Sequence, residues 1–459
     1  MMPVRDWSAG EVAVIGLGKS GVAASTLLRR LGARVYASDA SDAPVTRTRA
    51  EAVRALGGEA DTGGHDLERI ARAACVVVSP GVPPEAPPIA RAIAAGVEVV
   101  SEVELGLAGL PGVPVIAVTG TNGKTTVTAL VAHLLSALGY DALAAGNIGL
   151  PVCELALRAK RPEWIALELS SFQLHDTPSI APRVGVLTNL APDHLDRYPS
   201  VAAYYADKAL LFRNATSHSR WVVNAENPPS LAMVHDVPGV LLRFSAGGRL
   251  ADAFLDRQHD TLVVADEALL ARAEFPLLGE HNVANALAAA LAVVTADPAH
   301  GTLGARSRLA DALRHFEAMP HRLAPVGEVE GVLWINDSKA TNVASTQVAL
   351  EAMTRPTVLL LGGRHKGEPY TGLLPAIAAH CTHVLAYGEA APVILRDLAE
   401  RAPVEHVRGT FADVLARARD LARAGDVILL SPACSSYDMF TNYEERGRAF
   451  AAAARGATA

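Results

Sequence analysis

The residues of this chain best suited to chemistry lie in one short stretch, Gly120-Thr121-Asn122-Gly123-Lys124-Thr125-Thr126. Glycines at this spacing let backbone N–H groups turn toward an anion, and a helix starting there adds a partial positive charge. Lys124 then reaches the outer phosphates of a nucleotide, and the Thr125 hydroxyl can hold magnesium. The full phosphate-binding pattern has a further glycine in its first slot. Val118 occupies that slot here, so the loop is the shorter G-x-x-G-K-T. Its context fits. Val115 to Val118 is an apolar run too short for a helix and Val127 to Leu138 is amphipathic, giving strand, glycine loop and helix in order.

Other candidates also follow short apolar runs. Glu168 ends the run from Trp164 and is placed either to serve magnesium or to start a helix. Asp193-His194-Leu195-Asp196 follows the strand Val184 to Leu187 and reads equally as a metal or substrate contact and as a solvated loop. Lys208, on a helix expected over Val201 to Phe212, reads by itself as a surface lysine. Asn282 and Asn285 share one face at the start of an Ala-rich helix, as caps or as ligand readers. Near the N-terminus, Gly16-Leu17-Gly18-Lys19-Ser20-Gly21 sits between the strand Val12 to Ile15 and a helix, and a second strand closes on Asp39. That βαβ fingerprint suits a diphosphate on the helix N-terminus; alone it is weak support for NAD.

The elements that must position these residues alternate strand and helix throughout. Further strands are expected at Cys75 to Val78, Gly96 to Val100, Leu333 to Asn336, Thr357 to Leu361, His383 to Tyr387 and Val427 to Leu430. In the last third, Asp337, Lys339, Lys366 and the serines after Leu430 all follow strand C-termini, where open α/β sheets bind ligands. Pro111-Gly112-Val113-Pro114 reads as a linker and Met319-Pro320 as a hinge. The 459 residues therefore divide into 1–110, 111–319 and 320–459, each α/β: a Rossmann-like unit, a P-loop ATPase-like parallel sheet and a second Rossmann-like unit.

With 41 Lys and Arg against 48 Asp and Glu, the net charge of -7 argues against a nucleic-acid surface. Four scattered cysteines without metal-ligand spacing suit a reduced, cytoplasmic setting. No secretory h-region precedes Val12 and no stretch reads as a membrane span, so no membrane partner is expected. A monomer is expected.

Taken together, G-L-G-K-S-G (16–21), G-T-N-G-K-T-T (120–126), E-L-S-S-F-Q-L (168–174), D-H-L-D-R-Y (193–198), H-N-x-x-N (281–285), P-H-R (320–322), N-D-S-K-A-T-N (336–342) and L-S-P-A-C-S-S-Y-D (430–438) run in order along nearly the whole chain. That series resembles the Mur ligases of bacterial peptidoglycan synthesis. The phosphate loop and H-N-x-x-N are shared with folylpolyglutamate synthases, so a sister ligase with another acceptor is the alternative. The stretches 336–342 and 430–438 match the D-glutamate-adding branch, and the Asn-Pro-Arg motif expected of a meso-diaminopimelate-adding ligase is absent.

The resemblance implies that the first domain binds the UDP of UDP-N-acetylmuramoyl-L-alanine, the second ATP and the third D-glutamate. Gly16, Leu17, Gly18, Lys19, Ser20, Ser79 and Asn147 would lie near the UDP-substrate. Family members often carry Asp-Thr-Arg where this chain has Asp39-Ala40-Ser41, so side-chain contacts to uridine differ here. Gly120 to Thr126, Asn282, Asn285, Arg322 and Asp337 would serve ATP. Lys124 and two magnesium ions would neutralise phosphate charge, with Thr125 and Glu168 on one ion and His194 on the other. Lys208 matches the lysine that carbon dioxide converts to a carbamate, an anion able to hold the second ion. Lys339 would stabilise transferring phosphate. Thr341, Lys366, Ser436 and Tyr443 would hold D-glutamate; phenylalanine is common at the last position. A site formed between domains would imply closure on binding.

Overall fold

The computed structural model describes residues 5–194, 197–248 and 251–456. Its Cα packing falls into two compact units, Met1–Glu274 with Ala284–Arg314, and Phe275–Val283 with His315–Ala459.

The first unit contains two sheets. The N-terminal one comprises β1 (Glu11–Ile15), β2 (Arg34–Asp39), β3 (Glu59–Thr62), β4 (Cys75–Val78) and β5 (Val99–Ser101). They run parallel in the order β3-β2-β1-β4-β5, so the chain reverses its direction of winding between β1 and β4. A ligand crevice belongs at such a switch point. It brings Gly16 beside Ser79. The fifth strand covers Val99–Ser101 rather than Gly96 to Val100, because Gly96 takes a left-handed φ of 73° and ends the preceding turn.

The second sheet comprises β6 (Val115–Thr119), β7 (Ala142–Gly146), β8 (Trp164–Glu168), β9 (Val184–Leu187), β10 (Arg220–Asn224), β11 (Val240–Ser245), β12 (Ala253–Asp256), β13 (Thr261–Val264) and β14 (Glu267–Ala271). Its order is β14-β13-β12-β11-β10-β9-β6-β8-β7. Strand β6 pairs in parallel with β8 on one side and β9 on the other. Every residue of β6 and β8 is buried, which is why both read as unbroken apolar runs. The last two pairings, β12 with β13 and β13 with β14, are antiparallel. That meander extends the expected parallel sheet.

A five-residue helix, Val152–Ala156, joins the two sheets. Cys153 packs into the N-terminal core while Val152 and Leu155 pack into the second. The helix Glu102–Ala108 lies on it through Gly106, where a Cβ would collide with Val152. This shared packing places both sheets in one unit.

The second unit holds β15 (Ala324–Val329), β16 (Val332–Asn336), β17 (Thr357–Gly362), β18 (Cys381–Tyr387), β19 (Val404–His406) and β20 (Val427–Leu430), in the order β15-β16-β20-β17-β18-β19. Only β15 is antiparallel to its neighbour. Apolar cores fill both faces, one around Leu359, Leu361 and Ile377, the other around Trp334, Leu360 and Phe450. The expected α/β class and three-sheet architecture hold.

Candidate active site

In the first unit, β6 delivers the chain into Gly120–Gly123 and the helix Lys124–Ala137 carries it away. The helix starts at Lys124, three residues before the amphipathic run. Gly120 has φ 142°, and a Cβ there would overlap the Thr188 hydroxyl. Residues just past β9 clasp the loop. Thr121 N–H donates to Asn189 O at 2.8 Å and Asn122 N–H to Asn189 Oδ1 at 2.9 Å. Thr188 Oγ1 and Asn189 Nδ2 both donate to Asn122 O, at 2.6 and 3.1 Å. The loop shape is therefore built into the fold. Lys124 Nζ donates to Thr121 O at 2.7 Å, and Thr125 and Thr126 are buried in the first helical turn. Asn285 lies at the loop as well, since a Cβ on Gly123 would meet its Oδ1.

Glu168, 1% exposed, ends β8 next to β6. Asn147 Nδ2 donates to its Oε1 at 2.9 Å, whereas buried Oε2 has no partner among the described residues. A buried carboxylate oxygen left unsatisfied costs at least about 1–3 kcal/mol. A cation would remove that cost. Lys208 is also 1% exposed, contrary to its reading as a surface lysine: the helix Val201–Ala209 turns it inward, above the Tyr204 ring at 4.8 Å. Burial and the nearby Lys124 ammonium push its pKa well down, so the amine is held toward its neutral form. Asp193, Glu168 and Asp207 oppose that shift, which places them in the same electrostatic neighbourhood.

His194 adopts φ 54° after β9, with its ring 5.7 Å from Phe172 and 5.9 Å from Tyr204. Asp193 Oδ1 accepts the His194 N–H at 2.8 Å. Leu195 and Asp196 lie outside the described residues. Among the described residues no three His, Cys, Asp or Glu side chains converge as a metal group. The donors nevertheless fit a hard cation that keeps water and phosphate oxygens among its ligands: a threonine hydroxyl and an unsatisfied carboxylate oxygen, with a buried lysine whose pKa is driven down beside them.

At the N-terminal switch point, Leu17 N–H donates to Asp39 Oδ2 at 2.7 Å and Ser79 Oγ to Gly16 O at 2.9 Å. Asp39 thus supports the turn itself. Gly18 caps the helix Lys19–Arg30, which begins with Lys19 and Ser20. Asn147, expected at the UDP-substrate, is engaged with Glu168. A cleft runs from Ser79, Pro80 and Ile89 to Phe172, Gln173 and Asp207.

In the second unit, Asp337 follows β16 and is 8% exposed. Its Oδ1 accepts Leu323 N–H at 3.1 Å and its Oδ2 accepts Ser431 Oγ at 2.9 Å. Burial raises its pKa to about 7. These bonds fasten the 321–323 turn, where His321 and Leu323 have positive φ and Arg322 lies between them. Lys339 Nζ sits 3.9 Å over the Tyr443 ring, and Lys366 Nζ donates to Thr341 Oγ1 at 3.3 Å. Ser436 is 2% exposed in the loop after β20. The unit therefore joins Thr341 to Lys366 and Lys339 to Tyr443. Asn282 Nδ2 donates to Leu278 O at 2.8 Å. Sequence reading missed Thr188, Asn189 and Tyr204; the pairing of β9 with β6 places the first two and the helix Val201–Ala209 carries Tyr204, and no local pattern announces either.

Family models match three successive segments: a MurD-like Mur ligase N-terminal domain at residues 10–101, a Mur ligase middle domain at 118–293 and a Mur ligase glutamate ligase domain at 321–434. The UDP-N-acetylmuramoylalanine–D-glutamate ligase of Myxococcus xanthus is 41% identical over 453 residues, covering 96% of this chain and 97% of its own. That of Geobacillus kaustophilus is 38% identical, covering 98% of both chains. In fold, the chain is similar to the UDP-N-acetylmuramate-alanine ligase MurC of Thermotoga maritima, with a TM-score of 0.59 at 19% identity over 98% of this chain and 100% of that one. MurF of Acinetobacter baumannii gives 0.59 at 17% identity over 88% of each.

Proposed function

The chain belongs to the Mur ligase family, among the UDP-N-acetylmuramoylalanine–D-glutamate ligases, and on that premise we propose that it joins D-glutamate to UDP-N-acetylmuramoyl-L-alanine at the expense of ATP, in peptidoglycan precursor synthesis. The observation that carries the chemistry is the preformed phosphate loop, with Lys124, Glu168 and Lys208 drawn together beside it. No described helix is long and apolar enough to cross a membrane, and the proposed substrates are small molecules.

A carboxylate is a poor electrophile and must be activated. The L-alanyl carboxylate attacks the γ-phosphorus, ADP leaves and an acyl phosphate forms. The D-glutamate amine then attacks the acyl carbon, and the tetrahedral intermediate collapses with loss of phosphate. Positioning and charge neutralisation dominate such a transfer. Lys124 and the N–H groups of 120–126 bind the nucleotide phosphates, and Asn282, Asn285, Arg322 and Asp337 are assigned to the nucleotide. Thr125 and Glu168 would hold one magnesium ion, and His194 with carbamylated Lys208 a second; magnesium supplies positive charge to the phosphate oxygens when bound. Asn147 orients Glu168. Gly16 to Ser20 and Ser79 take the UDP part of the substrate. Lys339 meets the transferring phosphate, and Thr341, Lys366, Ser436 and Tyr443 hold D-glutamate. We assign the three domains to 1–110, 111–319 and 320–459.

The test is phosphate release with UDP-N-acetylmuramoyl-L-alanine, ATP and a panel of amino acids. D-glutamate should be preferred; faster turnover with L-alanine, L-lysine or meso-diaminopimelate would place the chain in a sister activity. Lys366→Ala should raise KM for D-glutamate by roughly 10-fold, the low end for loss of a charge-assisted bond, since this lysine is exposed. Its KM for ATP should hardly move. Initial rates with each substrate varied in turn decide this, and an unchanged KM for D-glutamate would remove Lys366 from the pocket.

A further inference from the structure

Arg446 is the most deeply buried cation in the second unit, at 0% exposure on the helix Tyr443–Ala454. Among the described residues it has no ion pair, although buried charges ordinarily have one. Neutral oxygens surround it. Nε donates to Ser338 Oγ at 2.9 Å, and Nη2 donates to Ser338 O at 2.9 Å and to Cys434 O at 3.1 Å. Nη1 and the Tyr387 hydroxyl are both buried, the guanidinium interacting with that hydroxyl through at most a weak hydrogen bond, and neither atom has a well-formed partner among the described residues. The same nitrogen lies against the turn after β17, where a Cβ on Gly363 would stand 3.1 Å from it. Asp438, which acts electrostatically on the Tyr387 hydroxyl, accepts Glu389 N–H at 3.2 Å.

These contacts fall on the three loops that carry the proposed D-glutamate positions. Ser338 is three residues before Thr341, Cys434 two before Ser436, and Gly363 three before Lys366. Ser338 Oγ also donates to the carbonyl of Tyr443, the fourth position, at 2.8 Å. One guanidinium thus bonds the 338 and 434 loops, reaches Tyr443 through Ser338 and lies against the 363 turn.

We propose that Arg446 is the positioning residue of the amino-acid pocket: it fixes the 338 and 434 loops and backs the 363 turn, and its charge, without an ion pair among the described residues, favours an amino acid with two carboxylates. The proposal rests on the D-glutamate reading above. Direct contact with the amino acid is left to Lys366, Thr341, Ser436 and Tyr443. A planar five-donor group can span several loops at once, whereas a lysine ammonium would keep the charge and lose the fork.

The experiment measures initial rates of the full-length enzyme, varying D-glutamate, ATP and UDP-N-acetylmuramoyl-L-alanine in turn. Arg446→Gln should raise KM for D-glutamate at least about 10-fold while the other two KM values stay within about twofold, the signature of lost binding confined to one substrate. Arg446→Lys should fall between wild type and Arg446→Gln. Ser338→Ala, which leaves the arginine in place and removes one acceptor, should raise the same KM by about threefold and covers the case in which Arg446→Gln does not fold. Unchanged KM values for D-glutamate, or equal increases for all three substrates, would overturn the proposal. A wild-type enzyme inert with D-glutamate would overturn the ligase reading itself, and the arginine's role with it.

Discussion

Lys124→Ala should lose turnover by at least about 100-fold, the scale on which removal of one preorganised charge-stabilising group acts. The ammonium stands at the head of a loop whose shape Thr188 and Asn189 already fix, with Nζ held on Thr121 O at 2.7 Å. Truncation therefore removes charge where the phosphate oxygens of the proposed nucleotide would gather, without unmaking the loop. The helix beyond is anchored by Val127, Leu130, Val131 and Leu134, all fully buried, so the thermal midpoint should stay close to wild type. Phosphate release and a melting curve on one preparation decide the matter. Wild-type rates from a folded variant would remove Lys124 from the chemistry.

Lys208→Ala should be nearly inactive, again by about 100-fold or more, and should regain part of its activity when acetate or formate is added. An ordinary lysine is exposed and charged. This one is buried, with its pKa driven down by desolvation and by Lys124. A neutral amine adds carbon dioxide reversibly, and the carbamate is an anion in a place where Glu168 already offers one unsatisfied oxygen. Alanine leaves a space that a short carboxylic acid can enter, restoring the negative charge without the covalent bond. Rates are compared with and without the acid at constant ionic strength. An alanine variant as active as wild type and indifferent to the acid would leave Lys208 a packing residue.

Much of this architecture is legible along the chain because buried parallel strands are written as apolar runs ending in polar residues. Cys75–Val78, Val184–Leu187 and Val427–Leu430 occupy the residues their hydrophobicity marks. The antiparallel meander β12–β14 is short and only half buried, so no comparable signal announces it. The helix expected over Val201 to Phe212 ends at Ala209 and tightens into a 3-10 turn at Leu210–Phe212 that buries Leu211 and Phe212. Lys208 shows the deeper limit. Its neighbours in sequence allow a solvated lysine, and only the inward turn of its helix, which sets it over the Tyr204 ring, shows it buried. Arg446 is similar: its helix is rich in Glu, Arg and Ala, and two of the three loops against it, at Ser338 and Gly363, come from more than 80 residues earlier in the chain.

The central claim is that the chain activates the L-alanyl carboxylate as an acyl phosphate before D-glutamate arrives at the carbonyl. Its most direct test is oxygen transfer. UDP-N-acetylmuramoyl-L-alanine is labelled with oxygen-18 in its alanyl carboxylate and turned over with ATP and D-glutamate, and the released phosphate is analysed by mass. The account predicts one labelled oxygen in each phosphate formed, because the bridging oxygen leaves with the phosphoryl group when the amine displaces it. Phosphate released during amide formation but carrying no label would contradict it.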